Sequence, residues 1–197
     1  MKKYICSLLI LIPYLARAEM VELEQFFIDK TEVSIGQFEL YAKAESILTS
    51  AERDGGGLVY EFGWTQKSGW NWRSPYGLPA KPSEPAVHLT YDEAAAFCHW
   101  SGKRLPTESE WISAAYTEQR SGRERKTYTY PTGNSPTGAN CLDGCGEVVT
   151  ADVSERLNRG SGHAEVGTTR EGVNGLYDMG ANVWEWVDIP DEQSKGT

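Results

Sequence analysis

Apolar residues recur at helical spacing in three clear stretches of this chain, and each stretch opens on the same polar signature. Ser34–Ala44 begins with Ser34 and Gln37 at capping-box spacing, then places Ile35, Phe38 and Tyr41 on one face. Thr90–Ser101 repeats the device with Thr90 and Glu93. Its apolar stripe is Tyr91, Ala94, Ala95 and Cys98, and Gly102 stops it. Thr107–Glu118 does so again with Thr107 and Glu110, followed by Trp111, Ala114 and Ala115. Two short apolar runs, Gln25–Ile28 and Ala86–Leu89, read as brief strands. The polar, glycine-rich stretches Arg53–Gly57 and Arg156–Gly162 read as surface loops. Between these segments the chain is rich in Gly, Pro, Asn and Trp and shows no internal repeat. The pattern predicts an α+β domain with little regular structure, made rigid by aromatic packing, disulfides or bound ions.

The first residues change the picture of where such a domain works. Lys2 and Lys3 precede an apolar run from Tyr4 to Leu15, and Ala16-Arg17-Ala18 is a small-x-small cleavage site. This predicts a signal peptide over residues 1–18 and an exported protein, periplasmic or secreted. The run is too short to span a bilayer, which takes roughly 20 residues, so no membrane span is expected after cleavage. Residues 19–197 are then one domain. Losing Lys2, Lys3 and Arg17 takes the net charge of the whole chain, −9, to about −12. That surface disfavours nucleic acid and anionic membrane as partners and is compatible with divalent cations. Cys98, Cys141 and Cys145 remain after cleavage, an odd number. Cys141 and Cys145 lie close enough for a local disulfide, with free thiols the alternative; a zinc site would need more ligands than the neighbouring His163 supplies.

Three longer segments carry a more specific signal: FFIDKTEVSIGQFELY at 26–41, PAVHLTYDEAAAFCHWSGKRLPTESEWISAA at 85–115, and GLYDMGANVWEWV at 175–187. In this order they resemble the formylglycine-generating enzymes, or sulfatase-modifying factors. Lesser matches, WNWRSP at 70–75, YPTGN at 130–134 and GANCLDGCG at 138–146, fall between them. The resemblance runs from about Glu24 to Trp186. It implies an irregular C-type-lectin-like fold with low regular secondary structure, in keeping with the periodicity.

The segment at 175–187 has the chemistry of a hard-cation loop. Asp178 and Glu185 bracket Gly180, Ala181 and Asn182, and calcium takes several carboxylate and carbonyl oxygens from such a turn. The resemblance implies structural calcium held by the Asp178 side chain, the Ala181 and Val183 carbonyls and the Glu185 side chain. The alternative is that Asp178 caps a turn and Glu185 pairs with an arginine. Gly180-Ala181 reverses the commoner order of the family, so an Ala181 ligand requires backbone angles that do not demand glycine. A second implied calcium site starts at Asn140 and the Cys141 carbonyl. Arg104 is expected in a structural ion pair, and His88 and His99 as ordinary polar residues.

Family enzymes oxidise a cysteine of a sulfatase Cys-x-Pro-x-Arg motif to formylglycine with copper and oxygen. Soft Cu(I) selects a pair of thiolates. The family's pair follows its Trp-Glu-Trp motif, and Val187–Thr197 holds no cysteine. The resemblance therefore implies a truncated or inactive relative, with no catalytic residues assigned, copper not expected in this chain, and a sulfatase as the implied partner. An exported lectin-like module binding protein or carbohydrate is the alternative. The related iron-dependent sulfoxide synthases need a histidine-bearing helical bundle for which the chain has no room.

Overall fold

The computed structural model describes residues 18–60, 63–141 and 162–189, and regular structure in them is confined to short elements. Strands β1 (Met20–Glu22) and β2 (Phe27–Asp29) form an antiparallel pair, with Val21 opposite Ile28. Helix α1 (Ile35–Ala44) follows, then the single turn α2 (Ser50–Arg53) and the hairpin β3 (Gly56–Tyr60) and β4 (Trp64–Ser68). Helices α3 (Tyr91–Trp100) and α4 (Glu108–Tyr116) complete the set, with a 3-10 turn at Val173–Gly175. Among the described residues the two sheets are each two-stranded, and the mixed fold has the low regular content expected.

All three expected capping boxes form. The Ser34, Thr90 and Thr107 side chains accept from Gln37, Glu93 and Glu110 N–H, and each of those side chains reaches back to the cap N–H. Gly102 follows α3 with φ 75°, the left-handed step that ends it. Three expectations need correction. Arg53–Gly57 is not an open loop: Gly56 and Gly57 are buried at the start of β3. A Cβ on Gly57 would lie 2.4 Å from the His88 ring, so close packing rather than turn formation explains that glycine. Ala86–Leu89 is not a strand, because His88 takes φ 57° and breaks the extended run, leaving one bridge between Ser34 and Pro85. On α3 the buried residue is Phe97; Tyr91 turns to solvent and its hydroxyl donates to Asp188 at 3.0 Å.

Two cores result. Phe38, Tyr41, Trp72 and Phe97 pack in one, with Phe38 5.0 Å from Trp72 and 5.5 Å from Tyr41 in edge-to-face contacts. Trp72 is fully buried, and its indole N–H donates to Glu52 at 3.2 Å, which ties α2 to this core. The second core joins Leu23, Ala114, Ala115, Leu176 and Met179, with Trp111 packed against its side. Asn174 clamps α4 to this core: its amide donates to the Ala114 and Thr117 carbonyls, both at 2.8 Å, and its oxygen accepts Gln119 N–H at 2.7 Å. The loop bearing Asp178 leaves directly from Leu176, so the second core sets its position.

Candidate functional site: a buried carboxylate cluster

Residues 178–185 fold as a succession of tight turns. Asp178, Gly180 and Asn182 all take left-handed φ, at 61°, 69° and 62°. The Asp178 carbonyl accepts Ala181 N–H at 2.9 Å, and the Ala181 carbonyl accepts Val183 N–H at 2.7 Å. Ala181 itself is not left-handed; Gly180 takes that step, so the reversed Gly-Ala order meets the backbone requirement. Asn182 is the hub of the loop. Its Oδ1 accepts from Ala164 N–H and from the Asn140 amide, both at 2.7 Å, and its amide donates to Glu32 Oε1 at 2.8 Å. Its N–H donates to the Asn140 carbonyl at 2.8 Å. Segments far apart in sequence thus converge on one amide.

The carboxylates are gathered behind this hub. Asp178 is buried; its Oδ1 accepts the Thr169 hydroxyl at 2.5 Å and its Oδ2 accepts Gly167 N–H at 3.4 Å. Glu185 receives the Trp111 indole N–H, not an arginine. Glu32, absent from the expected ligands, is buried at the same place, and its Oε2 has no hydrogen-bond partner. Burial pushes all three carboxyls above their usual range, Glu32 furthest and Glu185 to about 7, and the charge of Asp178 raises Glu32 and Glu185 further. Among the described residues no lysine or arginine pairs with any of the three. Glu32 Oε2 is thus buried without a hydrogen-bond partner, near enough to Asp178 and Glu185 to feel their charge.

Among the described residues, three His, Cys, Asp or Glu side chains do not converge as a metal-binding group. The donor set expected from sequence has two carboxylates and two backbone carbonyls, which such a group of side chains does not represent. Asp178, Ala181, Val183 and Glu185 belong to one loop, and Glu32 adds an acid from the segment before α1. Carboxylate and backbone carbonyl oxygens are the donor types that calcium takes. Asn140 lies against the same hub, with its amide also donating to the Gly162 carbonyl at 3.1 Å, so the second expected site adjoins the first. Cys141 is disulfide-bonded; Cys145 lies outside the described residues.

The remaining residues fall where ordinary structure puts them. Arg104 makes two 2.6 Å contacts with Glu110, which holds that carboxyl down at about 2. His88 Nε2 lies 2.9 Å from the Pro75 carbonyl. Cys98 is a free, half-buried thiol whose pKa burial pushes up to about 11. His163, unassigned from sequence, is buried with Glu84 at 2.8 Å and Tyr76 at 3.3 Å.

Short capped helices, two small hairpins and an ordered irregular chain around aromatic cores define a mixed α/β domain of the formylglycine-generating-enzyme type. The chain belongs to the family of the sulfatase-modifying factor enzyme 1-like domain, which matches residues 15–196. It is 30% identical to the formylglycine-generating enzyme of Bos taurus, over 87% of this chain and 50% of that protein. It is 32% identical to that of Thermomonospora curvata, over 84% of this chain and 60% of that protein. The inactive C-alpha-formylglycine-generating enzyme 2 of Mus musculus is also similar, at 28% over 86% of this chain. The chain thus spans about half to three-fifths of the length of these relatives. Among solved structures, PvdO from Pseudomonas aeruginosa shares the fold with a TM-score of 0.51 and 22% identity, covering 83% of this chain and 56% of that one.

Proposed function

We propose that this chain is an exported, calcium-stabilised scaffold of the formylglycine-generating-enzyme family, which engages a sulfatase-type polypeptide without oxidising its cysteine. The observation that carries the reading is the thiol inventory. Four cysteines occur in the sequence, and Cys6 leaves with the expected signal peptide. Cys141 is disulfide-bonded, as a local Cys141–Cys145 bridge would have it, and Cys98 is a half-buried thiol that stays protonated at neutral pH. Cu(I) selects paired soft thiolates, so this donor set does not fit copper.

Calcium belongs to the reading as a structural ion. Asp178, Glu185 and the Ala181 and Val183 carbonyls would hold it, Glu32 would supply a further acid, and Asn140 with the Cys141 carbonyl would begin a second site. The ion would neutralise buried acids that otherwise repel one another. The loop chelated in this way would keep the family surface in shape for a polypeptide ligand.

The test uses the purified chain from Glu19 onward, a Cys-x-Pro-x-Arg peptide, copper and oxygen. Peptide binding with no conversion of its thiol to an aldehyde, read by mass spectrometry, is expected. Aldehyde formation that tracks the amount of chain, and resists purification from other enzymes, refutes the non-catalytic reading. Absence of peptide binding refutes the partner.

A further inference from the structure

A cleft of about 540 Å³ opens between the β1–β2 connection and the loop that follows α4. Both walls are fixed. Leu23 is buried in the second core, and its N–H donates to the Phe26 carbonyl at 2.9 Å. Across the cleft the loop is closed at its root. Glu118 N–H donates to the Lys126 carbonyl at 2.8 Å and Gln119 N–H to Asn174 Oδ1 at 2.7 Å. At the tip Arg123 N–H donates to the Arg120 carbonyl at 3.2 Å, over a turn in which Gly122 takes φ 78°.

The charges that line this cleft balance: Glu22, Glu24 and Glu118 against Arg120, Arg123 and Arg125. Four of them are already paired. Glu118, 2% exposed, accepts from Arg120 Nε at 2.7 Å and Nη2 at 2.6 Å, bonds that hold its carboxyl below the usual range. Arg125 bonds Glu24 and so ties the loop to the opposite wall. The other two charges are uncommitted. Arg123 Nη1 stops 4.0 Å from Glu118, and its side chain makes no hydrogen bond among the described residues. The Glu22 carboxylate, exposed at the end of β1, meets no cation among them either.

These two charges flank one bridge. Arg123 stands two residues before Arg125, and Glu22 two before Glu24, each step covering at most roughly 7 Å of chain. A polyanion would meet Glu22 and Glu24, and a polycation Arg123 and Arg125, so neither complements the cleft. A ligand that carries both charges a few ångströms apart does. We propose that the cleft binds a zwitterionic peptide, its carboxylate on the Arg123 fork and its ammonium at Glu22. The guanidinium offers a carboxylate two parallel N–H donors, and Arg123 has them unused. The volume falls within the roughly 300–1,000 Å³ of small-ligand sites. Neither calcium nor a sulfatase partner enters the proposal, which stands or falls apart from that reading.

The test is an NMR titration of the isotope-labelled chain from Glu19 onward with trialanine, at low and high salt. Saturable shifts at the Ser121 and Gly122 amides and at Arg123 Nε–H are expected. The Kd falls in the millimolar range, because exposed ion pairs are weak, and rises with salt. Amidating the peptide's carboxylate weakens binding about three- to ten-fold, a difference that Arg123→Gln abolishes. Acetylating its amine weakens binding in the same way, and Glu22→Gln abolishes that difference. Both residues are exposed, and circular dichroism confirms that each variant keeps the fold. An end-capped lysine-alanine-aspartate peptide is the second arm. Its tighter binding assigns the charges to side chains within a longer polypeptide, and tighter binding of trialanine assigns them to free peptide ends. No saturable shift with either peptide overturns the proposal. So does binding that both variants leave unchanged, or binding that follows only one of the ligand's two charges.

Discussion

Glu185→Gln separates the two things the buried acid does. In the protein without calcium the Glu185 carboxyl is pushed up to about 7 from its ordinary 4.5, because it is desolvated and faces Asp178. Between those two values the folded chain keeps a proton that the unfolded chain has lost. The Glu185 contribution then makes stability fall as pH rises from about 4.5 to 7 and is complete above that. At roughly 1.4 kcal/mol per pH unit, full ionisation costs about 3 kcal/mol. Asp178 and Glu32, raised in the same direction, add to the fall, and Glu32, raised furthest, carries it to higher pH. Calcium bound as proposed would reverse it: the ion takes the ionised carboxylate, so its stabilisation would grow with pH and reach about 4.1 kcal/mol at a thousand-fold excess over its Kd. Glutamine keeps an oxygen for the Trp111 indole and removes the charge. The variant, measured in chelator at pH 8, is therefore expected to be more stable than the native chain by up to about 3 kcal/mol, or some 6–12 °C in Tm for a domain of this size. With calcium present the order inverts, because the native chain gains and the variant gains little. Thermal melts at pH 5, 6, 7 and 8, in chelator and in calcium, give both readouts. A flat chelated profile, together with a variant that melts with the native chain, would refute the reasoning. Calcium-independent melting of both chains would remove the ion while leaving the acid cluster to be explained.

Three further substitutions probe the frame that holds the loop. Asn174→Ala removes the amide that donates twice, at 2.8 Å, and accepts once, at 2.7 Å, and leaves φ 60° to a residue that disfavours it. A loss of about 3–4 kcal/mol in urea unfolding is expected, against which a loss below 1 kcal/mol would count. Glu84→Ala breaks the buried contact with His163 and the cap on Lys81 N–H, and should cost about 3–5 kcal/mol by the same assay. Thr107→Ala removes the α4 cap and should cost about 1 kcal/mol, a tenth of which would mean that Glu110 caps alone.

The helices were legible because their information is local. A hydroxyl and a carboxylate or amide at positions N-cap and N3 define a start within four residues, and all three expected starts form. Even α2 carries that signature in Thr49 and Glu52, on a turn too short for apolar periodicity to reveal it. The β3–β4 hairpin was not legible, since its large apolar residues lie on the outer face and its inner face carries only Gly57, Val59, Thr65 and Lys67; the alternation runs opposite to that of a strand covering a core. The same logic divides the acid cluster. Asp178 and Glu185 lie seven residues apart in one loop, so a resemblance over that stretch delivers both, whereas Glu32 reaches them only through the fold. Nothing in Lys-Thr-Glu-Val distinguishes a buried acid from a solvated one, and Glu32 stands two residues before the Ser34 cap, where polar residues are ordinary. Its role is fixed by Asn182, whose single amide bonds Glu32 on one side and Asn140 and Ala164 on the other. The hub also accounts for the strain at φ 62°, since only a side chain with both a donor and an acceptor, on a residue tolerant of the left-handed region, can join all three segments at once.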